Sequence, residues 1–340
     1  MERKNPYLSF DPGFLPPSGE KPLEVCLLRG TAVESRHRVH VVVRESKKGI
    51  IDRWGDAELN LFPRSSIKLV QALSWVAPRF HEKWNLGPEE LALACGSHQG
   101  ESFHVKKVKE WLEKLGLEEK VLDCGAHDPY DKAATRALIL EGKAPSPLHN
   151  NCSGKHAGLL TCCLAQGWPT EGYTNYDHPV QEKIRKVLSL FWEKEASSLA
   201  WGIDGCGIPT YSVSLDLLAR AMCLAANPRG LPGEMQDAVE LLNGAIAAKS
   251  EYIGGTESFC TKVVAETEGR VFAKVGAEGV YGAWIPGAKI GIAIKCEDGS
   301  SRAAEAALVA VLRDLGFSLG FYSPLVRRWG GEVVGQFFCA

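Results

Sequence analysis

The spacing of apolar residues changes twice along this chain, and the two changes restrict its fold more than any other feature. From Glu24 the segment EVCLLRGTAVESRHRVHVVVRES, followed by KKGIIDRWGD, clusters β-branched residues around polar turns and reads as strands, with Lys48-Gly49 reversing the chain. From Ser65 the period becomes helical, with Leu69, Leu73 and Val76 on one stripe that Pro78 ends. The same period recurs at Val105, Val108, Leu112 and Leu115 before Gly116, at Val180, Ile184, Val187 and Phe191, and at Val239, Leu242 and Ile246. After about Gly254 strand patterns return in RVFAKVGAEG, VYGAWIPG and AKIGIAIKCEDG, and a last helix is expected over SRAAEAALVAVLRDLG. Strands at both ends with helices between them predict an α/β (α+β) chain whose sheet is built from both termini. The sheet domain would span 1–64 and 250–340, a mainly helical lobe 65–249, and a cleft would lie at their junction. No internal repeat or low-complexity segment interrupts this plan.

Composition narrows the partners. The 340 residues, 45% hydrophobic and 24% charged, can bury one large core or two moderate ones. With 39 basic and 41 acidic residues the formal charge is -2, and no long run of one sign suggests a nucleic-acid tail or a membrane-binding arm. A small-molecule partner is therefore expected, with no nucleic acid and no membrane. The lead-in from Met1 to Glu20 carries Pro6, Pro12, Pro16 and Pro17 and lacks the apolar stretch of a secretory signal. No later segment supplies ~18 uninterrupted apolar residues, so a cytoplasmic protein is expected. The eleven cysteines are odd in number and lie mostly in apolar runs, where a reducing compartment leaves them as small buried hydrophobes.

Two motifs point to nucleophilic catalysis. In FPRSSIKLVQAL, Ser65 and Lys68 are three residues apart at a predicted helix start, so a neutral Lys68 amine could take the Ser65 hydroxyl proton. A helix N-terminus also directs free N–H groups at an oxyanion formed there. The plain alternative is that Ser65 caps the helix and Lys68 is solvated. Lys274-Val275-Gly276 on a predicted C-terminal strand supplies the second element that such sites need: a further cation, a small residue and backbone room for substrate. For the polar element of the helical lobe two candidates stand, Ser97 in CGSHQGE and Tyr173-Thr174-Asn175, and spacing does not choose between them.

The stretch HNNCSGKH, residues 149–156, has its own chemistry. Cys152 and Lys155 are three apart, and Cys206 lies in the Gly-rich turn GIDGCGIP two positions after Asp204. Two thiolates and a nitrogen donor could hold a borderline-soft ion such as zinc with one position open to water, although lysine must first lose its proton. His149 and His156 are alternative ligands, or members of a polar loop.

Taken together, FPRSSIKLVQAL, GSHQGE, HNNCSGKHAGLL, DHPVQ, GIDGCGIP and KVGAEGVYG resemble successive motifs of the asparaginase II family, the rhizobial-type or class 3 L-asparaginases. The resemblance runs from about Arg29 to the final helix. It implies a serine-β-lactamase-like fold, with an antiparallel sheet flanked by helices. It also implies two serine–lysine pairs, Ser65 with Lys68 and Ser97 with Lys274, a Zn2+ ion held by Cys152, Lys155 and Cys206 with Asp204 nearby, and a homodimer. HNNCSGKH then reads as a metal-binding loop rather than the nucleophile.

The expected reaction is hydrolysis of L-asparagine to L-aspartate and ammonia. Ser65 would attack with Lys68 as general base, and the N–H groups of Ser65 and of the strand near Ala277 would receive the oxyanion. Lys68, Lys155 and Lys274 in one small cleft would lower one another's pKa and attract the substrate α-carboxylate, with Lys155 and Asp204 contacting substrate. Zinc would orient substrate rather than generate the nucleophile. A glutaminase differs by one methylene, worth about 1–3 kcal/mol of discrimination. A penicillin-recognising serine hydrolase using Tyr173-x-Asn175, and a non-catalytic zinc-containing binding protein, are the other readings.

Overall fold

The computed structural model describes residues 15–319 and 325–339, so Pro6 and Pro12 of the lead-in lie outside the described residues. Eight strands pair into one sheet: β1 (Leu23–Arg29), β2 (Ala32–Glu45), β3 (Gly49–Trp54), β4 (Phe272–Val275), β5 (Val280–Ile285), β6 (Ile290–Cys296), β7 (Leu325–Arg327) and β8 (Val333–Cys339). Their order is β7-β8-β1-β2-β6-β5-β4, with β3 also on β2, and every pairing is antiparallel. Both ends of the chain thus supply the sheet, as the change of period predicts. Val41, Val42 and Val43 of β2 are all buried, because this central strand is covered on both faces.

The chain does not end on a helix. After the helix over Ser301–Asp314, β7 and β8 return to the sheet, and β8 pairs with β1 from Val25–Cys339 to Arg29–Gly335. The run Val333, Val334, Phe337, Phe338 carried a strand signal, but the preceding helix and glycines masked it as a tail.

Four helices position the site or cover the sheet: α1 (Lys68–Val76), α2 (Ser153–Gln166), α3 (Leu215–Ala226) and α4 (Ser301–Asp314). All nine residues of α1 are buried, so it is the central helix of the helical region rather than an amphipathic surface helix. Helix α3 lies directly on the sheet: a Cβ at Gly282 would come 2.6 Å from Met222 Sδ, and one at Gly291 would collide with the Cys223 backbone. Lys274 is the register partner of Gly282, so its side chain leaves the edge strand β4 on the face that α3 covers. Tyr281, one residue along β5, points to the opposite face and donates to Glu305 of α4 at 2.6 Å.

Candidate active site

Ser65 lies in a 3-10 turn, Arg64–Ile67, that leads directly into α1 at Lys68. Arg64 holds a left-handed φ of 53°, which for a residue with a Cβ costs about 1–3 kcal/mol and needs outside support. That support is an ion pair: the Arg64 guanidinium donates to Asp204 Oδ1 at 2.7 Å. Sequence reasoning assigned Asp204 to substrate and overlooked Arg64, although Arg64 directly precedes the serine. From the other side β4 presses on the same turn. A Cβ at Gly276 would stand 2.6 Å from the Pro63 carbonyl oxygen, which is why the third residue of the Lys274-x-Gly276 motif has no side chain.

Lys68 is 1% exposed, and its ammonium needs three acceptors. It finds the Gly96 carbonyl, the Asn151 carbonyl at 3.4 Å and Ser97 Oγ at 3.0 Å. Among the described residues it makes no hydrogen bond to Ser65, so the separate Ser65–Lys68 dyad that spacing suggests is not formed here. Lys274, 2% exposed, reaches the same Ser97 Oγ at 2.8 Å and the Val275 carbonyl at 2.8 Å. The result is one chain, Lys68–Ser97–Lys274, rather than two pairs. Burial, with the Lys68 charge beside it, pulls Lys274 from its ordinary 10.5 to about 7. Ser97 itself is fixed by its N–H, which donates to the Ile253 carbonyl at 2.8 Å.

The structure places Ser97 and Tyr173-x-Asn175 differently. Tyr173 is 1% exposed, with its hydroxyl between the Asp123 N–H at 2.9 Å and His156 Nδ1 at 2.6 Å. Neither Tyr173 nor Asn175 lines the cavity of about 880 Å³ that Ser65, Ser97, Cys152, Asp204, Cys206 and Ala277 share. The N–H groups of Ser65 and Ala277, the expected oxyanion donors, have no acceptor among the described residues.

The metal candidates also converge. Lys155 Nζ donates to Cys206 Sγ at 2.9 Å, and Cys152, Lys155 and Cys206 are each 5% exposed or less. A hydrogen bond from the Cys152 thiol and the Lys155 charge hold Cys206 down at about 5, as a thiolate, while the same hydrogen bond and burial push Cys152 up to about 12. Burial opposes the Lys155 charge, but the neighbouring sulfurs and Asp204 outweigh it and hold the ammonium above its usual range. This donor set suits a borderline-soft ion: two sulfurs and a nitrogen already meet, and the protons on Cys152 and Lys155 are the ones such an ion would displace. His149 and His156 are engaged elsewhere, His149 Nδ1 accepting from the Ser146 N–H at 3.0 Å and His156 holding Tyr173.

A second residue that the motifs did not single out ties the two halves of the site together. His98, fully buried, accepts the Gly100 N–H on Nδ1 at 3.1 Å, which leaves its proton on Nε2 to face Ser153 Oγ at 2.7 Å. Ser97 and the loop at Cys152 are therefore joined through their sequence neighbours.

Comparison with known proteins gives the family. A family model described as L-asparaginase II matches residues 25–337. Among curated proteins none matches the chain. Similar solved structures include the native form of Mglu, with 12% identity and a TM-score of 0.45 over 84% of this chain and 65% of that one, so this chain spans just under two thirds of its length. A β-lactamase from Mycobacterium bovis has 12% identity and a TM-score of 0.40 over 82% and 93%. The D-alanine carboxypeptidase AmpC from Burkholderia cenocepacia has 13% identity and a TM-score of 0.41 over 82% and 93%.

Proposed function

Because this chain belongs to the L-asparaginase II family, and is so a hydrolase of the asparaginase type, we propose that it hydrolyses L-asparagine to L-aspartate and ammonia through a serine nucleophile. The observation that carries the reading is the hydrogen-bonded chain Lys68–Ser97–Lys274 behind the half-buried Ser65. A neutral Lys274 amine accepts the Ser97 O–H, and Ser97 Oγ accepts from Lys68, so a proton taken up at one lysine can pass to the other. Ser97 also lines the cavity but is occupied as a proton carrier, and the attack is assigned to Ser65.

In the first step Lys68 hands a proton to Ser97 Oγ, Ser97 hands its own to the neutral Lys274 amine, and the Lys68 amine so freed takes the Ser65 proton as Ser65 Oγ bonds to the side-chain amide carbon. The oxyanion forms against the N–H groups of Ser65 and Ala277, for which no carbonyl among the described residues competes. The C–N bond then breaks, ammonia leaves with a proton returned through the lysines, and water cleaves the acyl ester to release aspartate. Arg64 and the Lys68 ammonium supply positive charge for the α-carboxylate, and Asp204 acts by holding Arg64.

We infer further that Cys152, Lys155 and Cys206 hold Zn2+. When bound, the ion supplies a fixed positive charge that orients substrate. A homodimer and a cytoplasmic location belong to the same reading; no described helix is long and apolar enough to cross a membrane.

Ammonia release from L-asparagine, with L-glutamine and a chromogenic β-lactam in parallel, tests the proposal. Release from asparagine that falls at least about a thousandfold in Ser65→Ala supports it. Cleavage of the β-lactam alone, or full asparagine turnover by Ser65→Ala, overturns the reaction or the nucleophile respectively.

A further inference from the structure

Outside the catalytic cavity, one group of side chains has ligand chemistry that the reaction does not use. His37 on β2, Cys296 at the end of β6 and Asp298 in the turn before α4 bring a nitrogen, a sulfur and a carboxylate oxygen within 4.8 Å of one another. None of the three lines the cavity. Sheet register makes the grouping: Cys296 stands opposite Val39, and the Glu297 N–H donates to the Arg38 carbonyl at 2.9 Å, which brings Asp298 level with His37.

The contacts rule out one familiar use of these residue types. Asp298 is central, with His37 Nδ1 at 2.6 Å from Oδ2 and the Cys296 thiol donating to Oδ1 at 3.0 Å. A thiol nucleophile would need the imidazole between cysteine and carboxylate. Here the thiol faces the carboxylate instead, and burial with that hydrogen bond pushes it up to about 12. The group is not an activated nucleophile.

We propose that His37, Cys296 and Asp298 form a second metal site, for a borderline-soft divalent ion of the zinc class, with water in the remaining position. Three observations besides the ligand types support it. The far nitrogen of His37 is held by Ser35 Oγ at 2.9 Å, an outer contact that fixes the imidazole while Nδ1, which lies on Asp298 Oδ2 at 2.6 Å, already points at a second ligand of the group. Asp298 Oδ1 is likewise anchored by the Ser300 N–H at 2.9 Å. The arginines of the adjoining strand are already paired, Arg36 with Glu24 and Arg38 with Glu297, which weakens the repulsion an incoming cation would meet.

An entry path exists as well, since the Asp298 side chain is 49% exposed while that of His37 is 11% exposed. On binding, the Cys296 proton leaves to solvent, Asp298 remains a carboxylate, and neutral His37 changes tautomer: the Nδ1 proton that faces Asp298 leaves to solvent, one is taken up at Nε2 toward Ser35, and Nδ1 presents its lone pair to the ion. Thiolate, carboxylate and a divalent ion sum to zero charge, which suits a half-buried position. The ion would join β2, β6 and the start of α4 at one point.

The test uses Co2+ as probe in the full chain carrying Cys152→Ser and Cys206→Ser, so that the catalytic-site sulfurs do not contribute. A thiolate-to-cobalt absorption band at one equivalent is expected in that background, and it should disappear on adding Cys296→Ser. Because Cys296 is buried, two milder variants accompany it. Asp298→Asn, at an exposed turn, should weaken binding at least about tenfold, and Ser35→Ala, which removes no ligand, about 10–100-fold. Asp298→Asn should leave ammonia release from asparagine unchanged. Absence of the band in the Cys152→Ser, Cys206→Ser protein, or a band indifferent to Asp298→Asn, overturns the second site whatever the fate of the asparaginase reading.

Discussion

Lys274 gives the sharpest pH prediction. The groups that face it are Ser97, which it hydrogen-bonds, the Lys68 ammonium, which disfavours its charge, and the thiols of Cys260, Cys152 and Cys95. Burial dominates and brings the amine from 10.5 to about 7. The working form is the neutral amine, so activity should rise with pH. At one pH unit below the midpoint only about a tenth of the molecules carry it, and at one unit above about nine tenths do. The kcat/KM for asparagine should therefore climb about tenfold per pH unit below about 7 and level off above about 8, measured by ammonia release in buffers of constant ionic strength.

Stability runs in the same direction. The folded pKa lies below the unfolded one, so the fold disfavours the charged form. That penalty is absent above about pH 10.5, builds as pH falls toward 7 and is complete below 7. Lys274→Arg, which stays cationic at every working pH, should lower turnover by at least about a hundredfold and leave no rising limb. A flat wild-type profile between about pH 5 and 8, or a Lys274→Arg enzyme with normal turnover, would refute the assignment of Lys274 as a neutral base.

Three further outcomes rest on the packing of the site. Gly276→Ala puts a methyl group 2.6 Å from the Pro63 oxygen, so it should cost about 1–3 kcal/mol in urea unfolding and lower kcat by shifting the Ser65 turn; unchanged values for both would contradict the close approach. His98→Leu removes the acceptor of the Gly100 N–H and the donor to Ser153 Oγ, which keeps only its bond to the Leu148 carbonyl, and should cost about 1–3 kcal/mol with a loss in kcat, whereas His98→Gln, which keeps a donor, should recover part of it. Cys206→Ser removes the thiolate beside Lys155, so the purified protein should carry one equivalent of zinc fewer than wild type by elemental analysis; equal zinc contents would argue against the Cys152, Lys155 and Cys206 site.

What the sequence determined by itself was whatever depends on local periodicity and on short motifs. The two changes of period allotted β1, β2 and β3, the helices between them, and β4, β5 and β6 to their places, because apolar spacing reports which face of each element is buried. The motifs identified Ser65, Lys68, Ser97, Cys152, Lys155, Cys206 and Lys274, all of which the fold gathers around one cavity.

Only the tertiary structure decided how those residues are wired. Spacing of three made Ser65 and Lys68 look like a dyad, yet a buried ammonium turns to the nearest three acceptors, and two of these, Gly96 and Ser97, lie about thirty residues downstream. The same holds for Arg64 with Asp204 and for His98 with Ser153, pairs too distant in sequence for any spacing rule. The depressed pKa of Lys274 likewise belongs to the assembled interior, since desolvation and the Lys68 charge exist only once the sheet and the helices have closed on each other.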